Sequence, residues 1–186
     1  MNVAELGAHI RQHFTQRAFR LETLQQYEVA SDGSDFARYL AGEAVPTQAR
    51  KQPWLDRLRA ERDRGLRRSR VRLVTHPITD YTRYECEWGY APNVDAGEDV
   101  RILDLAEAHL DAGDLDRLLA TGDFWLLDDV EVVVMHYDGS GQFVAAERAS
   151  DASYFRVVAG LAWARSESFT QWWCRHVEYH RDRWVA

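Results

Sequence analysis

Four residues at helical spacing form the most chemically suggestive pattern in the chain: Tyr81, Tyr84, Glu85 and Trp88. Their spacing puts one carboxylate on the same helical face as three aromatic rings. A carboxyl group among rings loses solvation, which raises its pKa unless a cation or a hydrogen-bond donor answers it. Two readings stand open. Glu85 can pair with one of the many nearby arginines and hold a helix to a sheet. Alternatively it can act as a general acid or base, or as a ligand-binding acceptor, in an aromatic pocket.

A second constellation is His136-Tyr137-Asp138, with Asp128 and Asp129 in the turn before that segment. Strand alternation sends His136 and Tyr137 to opposite faces, so one pocket can use both only if the strand end is bulged. A histidine at a strand end is also an ordinary hydrogen-bonding residue, and Asp138 belongs to the turn that follows. His176 and His180 stand four apart with Glu178 between them, but H-V-E-Y-H is not the zinc-peptidase order and no third ligand is signalled. No metal is expected. Ser166 and Ser168 lack a G-x-S-x-G context, Cys86 and Cys174 lack C-x-x-C spacing, and no glycine run resembles a phosphate loop or a dinucleotide fingerprint. No cofactor is expected either. Trp172 and Trp173 can close the core or dock a partner helix.

Composition bounds the class. The chain has 186 residues, 46% hydrophobic and 28% charged, which is ordinary globular composition and enough for one main core. No window approaches a membrane span, the first fifteen residues carry His9, Arg11 and His13, and only two cysteines occur. A cytoplasmic protein is expected. The net charge of −7 argues against sequence-independent nucleic-acid binding, which needs a basic face. One local exception is the run of arginines 57, 59, 62, 64, 67, 68, 70 and 72, interrupted by Glu61 and Asp63. On a helix these charges can pair at i,i+4 into a solvated face, or they can meet an anionic partner.

The elements that must position these residues follow from periodicity. Val3, Leu6, Ile10 and Phe14 predict an amphipathic helix over 2–16, an appendage to the main α/β domain at 17–165. Between Phe19 and Val45 the turn cluster Ser31, Asp32, Gly33 and Ser34 can cap a short helix. Pro53 suits a first helical turn, Trp54, Leu55 and Leu58 supply a buried stripe, and Gly65 ends it. A strand at 70–75 follows, then a helix carrying Tyr81 to Trp88 that Gly89 and Pro92 should stop, a loop at 91–98 and a strand at 99–103. Strand, helix and strand within this length make a parallel βαβ unit. A helix over 105–119, broken near Gly113, leads to strands at 124–127, 130–137 and 142–147. Asp138-Gly139-Ser140-Gly141 is a hairpin signal, and the middle strand, apolar on both faces, should lie inside the sheet. Helices over 151–165 and from the capping box Ser168-x-x-Gln171 finish the chain, the latter as a tryptophan-rich segment over 166–186 on or near the main domain. The fold class is therefore α/β: a mixed sheet with a parallel βαβ unit and an antiparallel three-strand meander, flanked by helices.

Five segments carry a resemblance: F-R-L-E-T-L-Q-Q-Y, P-I-T-D-Y-T-R-Y-E, N-V-D-A-G-E-D-V-R-I-L, D-F-W-L-L-D-D and M-H-Y-D-G-S-G. In order and spacing they resemble an actinobacterial family of uncharacterised proteins, domain of unknown function number 6879, over most of 17–165. Members are described beside helix-turn-helix regulators, so the resemblance implies a regulatory role. More distantly, the element order resembles half of a phospholipase-D-like domain. That chemistry needs a His-x-Lys motif, and the only lysine here, Lys51, follows Ala49-Arg50. A shared fold would not carry a shared reaction. The expectation is a non-enzymatic regulatory or interaction protein with a ligand site at Tyr81, Tyr84, Glu85, Trp88, Asp128, His136 and Tyr137. Its partner would be a helix-turn-helix regulator, another protein, a small molecule or a second copy, and not nucleic acid or a membrane. The alternative is a small hydrolase or transferase with Glu85 and His136 as acid and base.

Overall fold

A computed structural model describes residues 1–29 and 32–181. Ser31 of the expected turn cluster and residues 182–186 of the C-terminal segment lie outside the described residues. The chain is α/β, built on a seven-stranded mixed sheet in the order β6-β5-β4-β1-β2-β3-β7. Its middle is β1 (Arg17–Glu22), which runs parallel to β2 (Arg67–Val74) and antiparallel to β4 (Phe124–Leu127). The parallel run extends to β3 (Asp99–Asp104), so the expected βαβ unit is the second half of a longer β1-β2-β3 arrangement. The antiparallel meander is β4, β5 (Glu131–Tyr137) and β6 (Phe143–Arg148), with β5 inside. A two-residue β7 (Glu167–Ser168) closes the β3 edge.

The two faces of the sheet carry different chemistry. Phe19, Leu21, Val71, Leu73, Leu103, Phe124, Leu126 and Val132 form an apolar face under Leu118 of α6 (Ala112–Thr121) and Val158, Ala159 and Ala162 of α7 (Ser153–Arg165). On the opposite face, strand alternation in β2 presents Arg68, Arg70 and Arg72, all buried. These arginines are therefore no solvated helix face: they belong to a strand, and the crossover elements cover them. Only the part of the run in α3 (Gln48–Asp63) is helical, and there Arg57 pairs with Glu61 at i,i+4.

At one end of that charged face α1 (Val3–His13), started by a capping box between Asn2 and Glu5, lays Leu6, Ile10 and the following Phe14 on Ala18, Trp125, Leu127, Val133 and Met135. Each such side chain contributes about 1.5–3 kcal/mol of burial free energy before ordering costs. The middle is covered by α2 (Asp35–Leu40), α3 and one continuous helical run: α4 (Asp80–Tyr84), a π-helical turn (Glu85–Tyr90) and α5 (Ala91–Ala96). The expected stop at Gly89 and Pro92 and the loop at 91–98 are thus corrected. A wide turn closed by the Ala91 N–H on the Cys86 carbonyl changes the hydrogen-bond pattern, and Pro92 sits at the restart, where no donor is needed.

Two more expectations change. The helix begins at Ala112 rather than 105, because the Asp111 carboxylate accepts the Asp114 N–H and caps it there. The last helix, α8 (Phe169–Arg175), ends before His176, and a 3₁₀ turn at Val177–Tyr179 follows, so His176 and His180 do not share a helical face. Trp172 is fully buried against β3 with Phe169. No helix among the described residues is long and apolar enough to cross a membrane.

Candidate functional site

The covering run and the charged sheet face enclose a cavity of about 380 Å³. Its wall is aromatic: Tyr27 follows β1, Trp54 comes from α3, and Tyr81, Tyr84, Trp88 and Tyr90 come from the α4-π run. Its floor is ionic, with Arg20 and Glu22 of β1 and Arg70 of β2. Lys51 and Arg50 of α3 and Asp32 and Asp35 at the start of α2 line the remainder, with Glu85 between wall and floor.

The floor is a connected network. Arg70 donates from Nη1 to Glu22 Oε1 at 2.9 Å and from Nε and Nη2 to Glu98 Oε1 at 3.0 and 2.8 Å. Arg20 Nε stands 3.2 Å from Glu22 Oε1. Burial alone would raise the Glu22 pKa, but Arg20, Arg70 and Arg72 outweigh it and hold the group at about 2. Beside them Arg72 is fully buried, and none of its three guanidinium nitrogens has a hydrogen-bond partner among the described residues. Its charge lies 4.8 Å over the Tyr27 ring. That geometry compensates part of the desolvation a buried guanidinium otherwise suffers.

The π turn decides what Glu85 meets. A run of i→i+5 bonds brings a residue five positions on toward the same face, and the Tyr90 hydroxyl accordingly lies 2.9 Å from Glu85 Oε2 and 2.9 Å from Glu22 Oε2. Glu85 makes no ion pair among the described residues. Burial and then the Glu22 charge raise its pKa above the ordinary carboxylate value, against the opposing pull of Arg72 and Arg70. Asp32 behaves alike: burial and the Glu85 charge push it up to about 6, while Lys51 and a Tyr84 hydrogen bond work the other way. Lys51 itself, its pKa lowered by burial, turns its ammonium to the Gly89 carbonyl at 3.3 Å and Asn93 Oδ1 at 3.1 Å.

Of the residues singled out from the sequence, Tyr81, Tyr84, Glu85 and Trp88 come together at this cavity. Tyr137 stands behind its wall, edge-on to Tyr27 at 5.1 Å and accepting from Arg20 Nη2 at 3.3 Å. The bulge after His136 that could have turned both side chains one way is present, yet His136 stays with Val132 and Val134 on the α7 side of the sheet. It is exposed there and 3.0 Å from Glu147. The structure therefore does not bring Glu85 and His136 together as a proton-transfer pair. Asp128 sits at a turn with φ of 50°, its carboxylate accepting from Thr15 N and Oγ1, Gln16 N and Arg17 N at 2.7–2.9 Å. That is a clamp between α1 and β1, away from the cavity.

Sequence periodicity missed Tyr27, Trp54, Tyr90, Arg20, Glu22 and Arg70. One signal was available: arginines alternating with Ser69, Val71 and Leu73 in a strand of a parallel pair face a covering element, since both faces of such strands are buried.

A second polar group gathers where β2 and β3 end. His76 Nε2 lies 2.8 Å from Asp104 Oδ2, which also accepts from Trp172 Nε1 at 3.0 Å, while His76 Nδ1 faces the Tyr179 hydroxyl at 2.9 Å. Burial opposes ionisation of Asp104, but these donors hold its pKa below the ordinary value. Asp104, Glu107 and His176 each offer one ligand atom within 4.8 Å of the others, a set able to hold a metal ion. Most of their atoms are engaged: Glu107 pairs with Arg175 at 2.9 Å and His176 Nδ1 meets Glu178 at 3.0 Å, while His176 Nε2 lies 3.3 Å from Glu107 without a hydrogen bond among the described residues. This group reads as an ion-pair lock between β3 and the C-terminal turns.

No curated protein and no solved structure matched the chain. A family described as Domain of unknown function (DUF6879) matches residues 4–174, from α1 through α8 and across every cavity-lining residue. The chain belongs to that family of proteins, defined by the Domain of unknown function (DUF6879).

Proposed function

We propose that this chain is a non-enzymatic binding protein that takes a small polar molecule into the cavity beside Tyr81, Tyr84, Glu85 and Trp88 and reports that state to a protein partner. The observation that carries the reading is the composition of the cavity: about 380 Å³ with six aromatic rings in its wall and two carboxyl groups whose pKa values are raised. Concave, largely aromatic sites with a few converging polar groups are the usual form of small-molecule sites. A partner regulator of the helix-turn-helix class follows from the family resemblance. The same reading assigns the chain to the actinobacterial cytoplasm, in keeping with arginine at all but one of its 23 basic positions. It treats the likeness to a phospholipase D half as topology alone.

Native mass spectrometry of the full chain purified under non-denaturing conditions tests it. A bound metabolite, lost on Trp88→Ala, is the expected result. A ligand-free protein whose melting temperature no metabolite pool raises would overturn it.

A further inference from the structure

Charge pairing inside the cavity separates groups that are satisfied from groups that are not. Arg20 and Arg70 are neutralised by Glu22, Arg70 also by Glu98, and Arg50 lies 3.3 Å from Asp35 and donates to the Asp32 carbonyl at 2.6 Å. Glu85 and Asp32 are the cavity carboxyl groups with no ion pair among the described residues; their partners are the hydroxyls of Tyr90 and Tyr84. Arg72, whose guanidinium makes no hydrogen bond among the described residues, and Lys51, which donates to two neutral oxygens, act on these carboxyl groups only through space. The rings of Trp54, Tyr81, Tyr84 and Trp88 line the same cavity as both carboxyls.

We propose that the cavity recognises its ligand through an ammonium group, seated between the Glu85 and Asp32 carboxylates and against the aromatic wall, as in a small amine or an amino-acid-like molecule. This rests on the cavity being the binding site. Carboxylates give an ammonium full countercharge, and ring faces add cation–π attraction that grows as water is excluded. A neutral or anionic guest would give neither carboxyl group an ion pair and would leave both shifted toward their protonated forms. Lys51, whose oxygen partners are neutral, is placed to meet the carboxylate of an amino acid bound this way.

The proposal has a proton signature. Glu85 faces Glu22, Arg70 and Arg72 of the sheet, Tyr90 of its own run and Lys51 of α3; Asp32 faces Glu85, Lys51, Tyr84 and Asp35. An arriving cation shifts this balance toward the ionised forms, so binding releases protons and tightens as pH rises through about 6, the Asp32 value.

The test is calorimetric titration of the full chain with alkylamines and free amino acids, each beside its N-acetylated counterpart, below and above pH 6. Amines are expected to bind, with heat that varies with the buffer's ionisation enthalpy. Acetylation, Glu85→Gln and Asp32→Asn should each weaken binding by about tenfold or more. Circular dichroism on both variants separates lost binding from lost fold, and Asp32→Asn carries the test if Glu85→Gln unfolds. Equal binding of acetylated compounds, or a native-spray metabolite with no amine, overturns the ammonium assignment and leaves the cavity's binding role standing. Absence of any bound or bindable molecule overturns both.

Discussion

Tyr90 holds Glu85 by a single hydrogen bond of 2.9 Å across the five-residue span of a π-helical turn. The same phenol lies 2.9 Å from Glu22, and one hydroxyl carries one proton. Glu22, beside three arginines, is held as the anion, whereas Glu85 shares the same hydroxyl without an ion pair and has its pKa raised by burial and by the Glu22 charge. The unliganded protein therefore favours the neutral form of Glu85 more than water does.

Glu85→Gln follows directly from that shift. An amide oxygen still accepts from Tyr90 and needs no desolvation of a charge, so this variant should be as stable as the parent at neutral pH or slightly more so. Tyr90→Phe should lose about 1–3 kcal/mol, because it leaves two buried carboxyl groups each short of a partner. Urea denaturation of both variants checks the pair of outcomes. A Glu85→Gln variant less stable than Tyr90→Phe would mean that Glu85 is ionised before any ligand arrives.

Asp32 gives a pH dependence of defined sign. Its folded pKa of about 6 lies above the ordinary 3.8, so between those values the folded state holds a proton that the unfolded state has released. Stability from this group is complete below about pH 4 and falls as pH rises through about 6. Asparagine does not ionise, so Asp32→Asn should match the parent near pH 4 and exceed it at pH 7. Asp32 keeps some solvent access, which reduces the gain to about 1 kcal/mol. Glu22, Asp104 and Asp128, all with lowered values, slope the other way, but they are common to both proteins and cancel in the difference. Equal urea midpoints of the two proteins at pH 7 would refute the shift.

Much of this arrangement was readable before any coordinates. The meander followed from a strand apolar on both faces, Val132 to Met135, and the Asp-Gly turn, and the βαβ unit from β-branched runs flanking a capped helix. What escaped did so for physical reasons. R-A-F-R-L-E hides β1 because a central strand covered on both faces shows no alternation, and its buried Glu22 is paired with a half-buried Arg20 rather than exposed. Tyr90 escaped because α-helical spacing puts it off the Glu85 face, and only the wider π turn restores it. The helix stop assigned to Pro92 failed for the same reason. His136 was a fair candidate by residue type, but strand parity set it on the far side of the sheet, and no property of the residue alone could reveal that.

The two neighbouring arginines of β2 should respond oppositely to the same substitution. Arg70 is bonded to Glu22 and Glu98, and replacing it by methionine strands two buried carboxylates, a change that costs about 3–5 kcal/mol. Arg72 donates to nothing among the described residues, so Arg72→Met removes a desolvated charge without orphaning a partner and should be neutral or stabilising. Chemical denaturation of the two variants measures this contrast. A severe loss for Arg72→Met would show that its charge, acting on Glu22 and Glu85 through space, outweighs its own burial.

Asp128 offers the sharpest separation of backbone from side-chain effects. It occupies a position with φ of 50°, followed by Asp129 at 61°, and Val130 N donates to Leu127 O at 3.1 Å, as a type I′ turn requires. Aspartate and asparagine tolerate that left-handed backbone better than alanine does. Its carboxylate also accepts four hydrogen bonds from Thr15, Gln16 and Arg17, which fix the entry of the chain from α1 into β1. Asp128→Gly keeps the turn and loses the clamp; Asp128→Ala loses the clamp and strains the turn; Asp128→Asn keeps the turn and roughly half the acceptors. The order of stability should therefore be Asp, Asn, Gly, Ala, with about 2 kcal/mol between Asp and Gly. Because these bonds lower the Asp128 pKa, the advantage of Asp over Asn is present above about pH 4 and fades as pH falls through the lowered value. Hydrogen exchange at α1 amides should quicken in the same order, since the clamp is what seats that helix on Trp125 and Met135. If the three variants melt with the parent, the carboxylate clamp contributes nothing to stability.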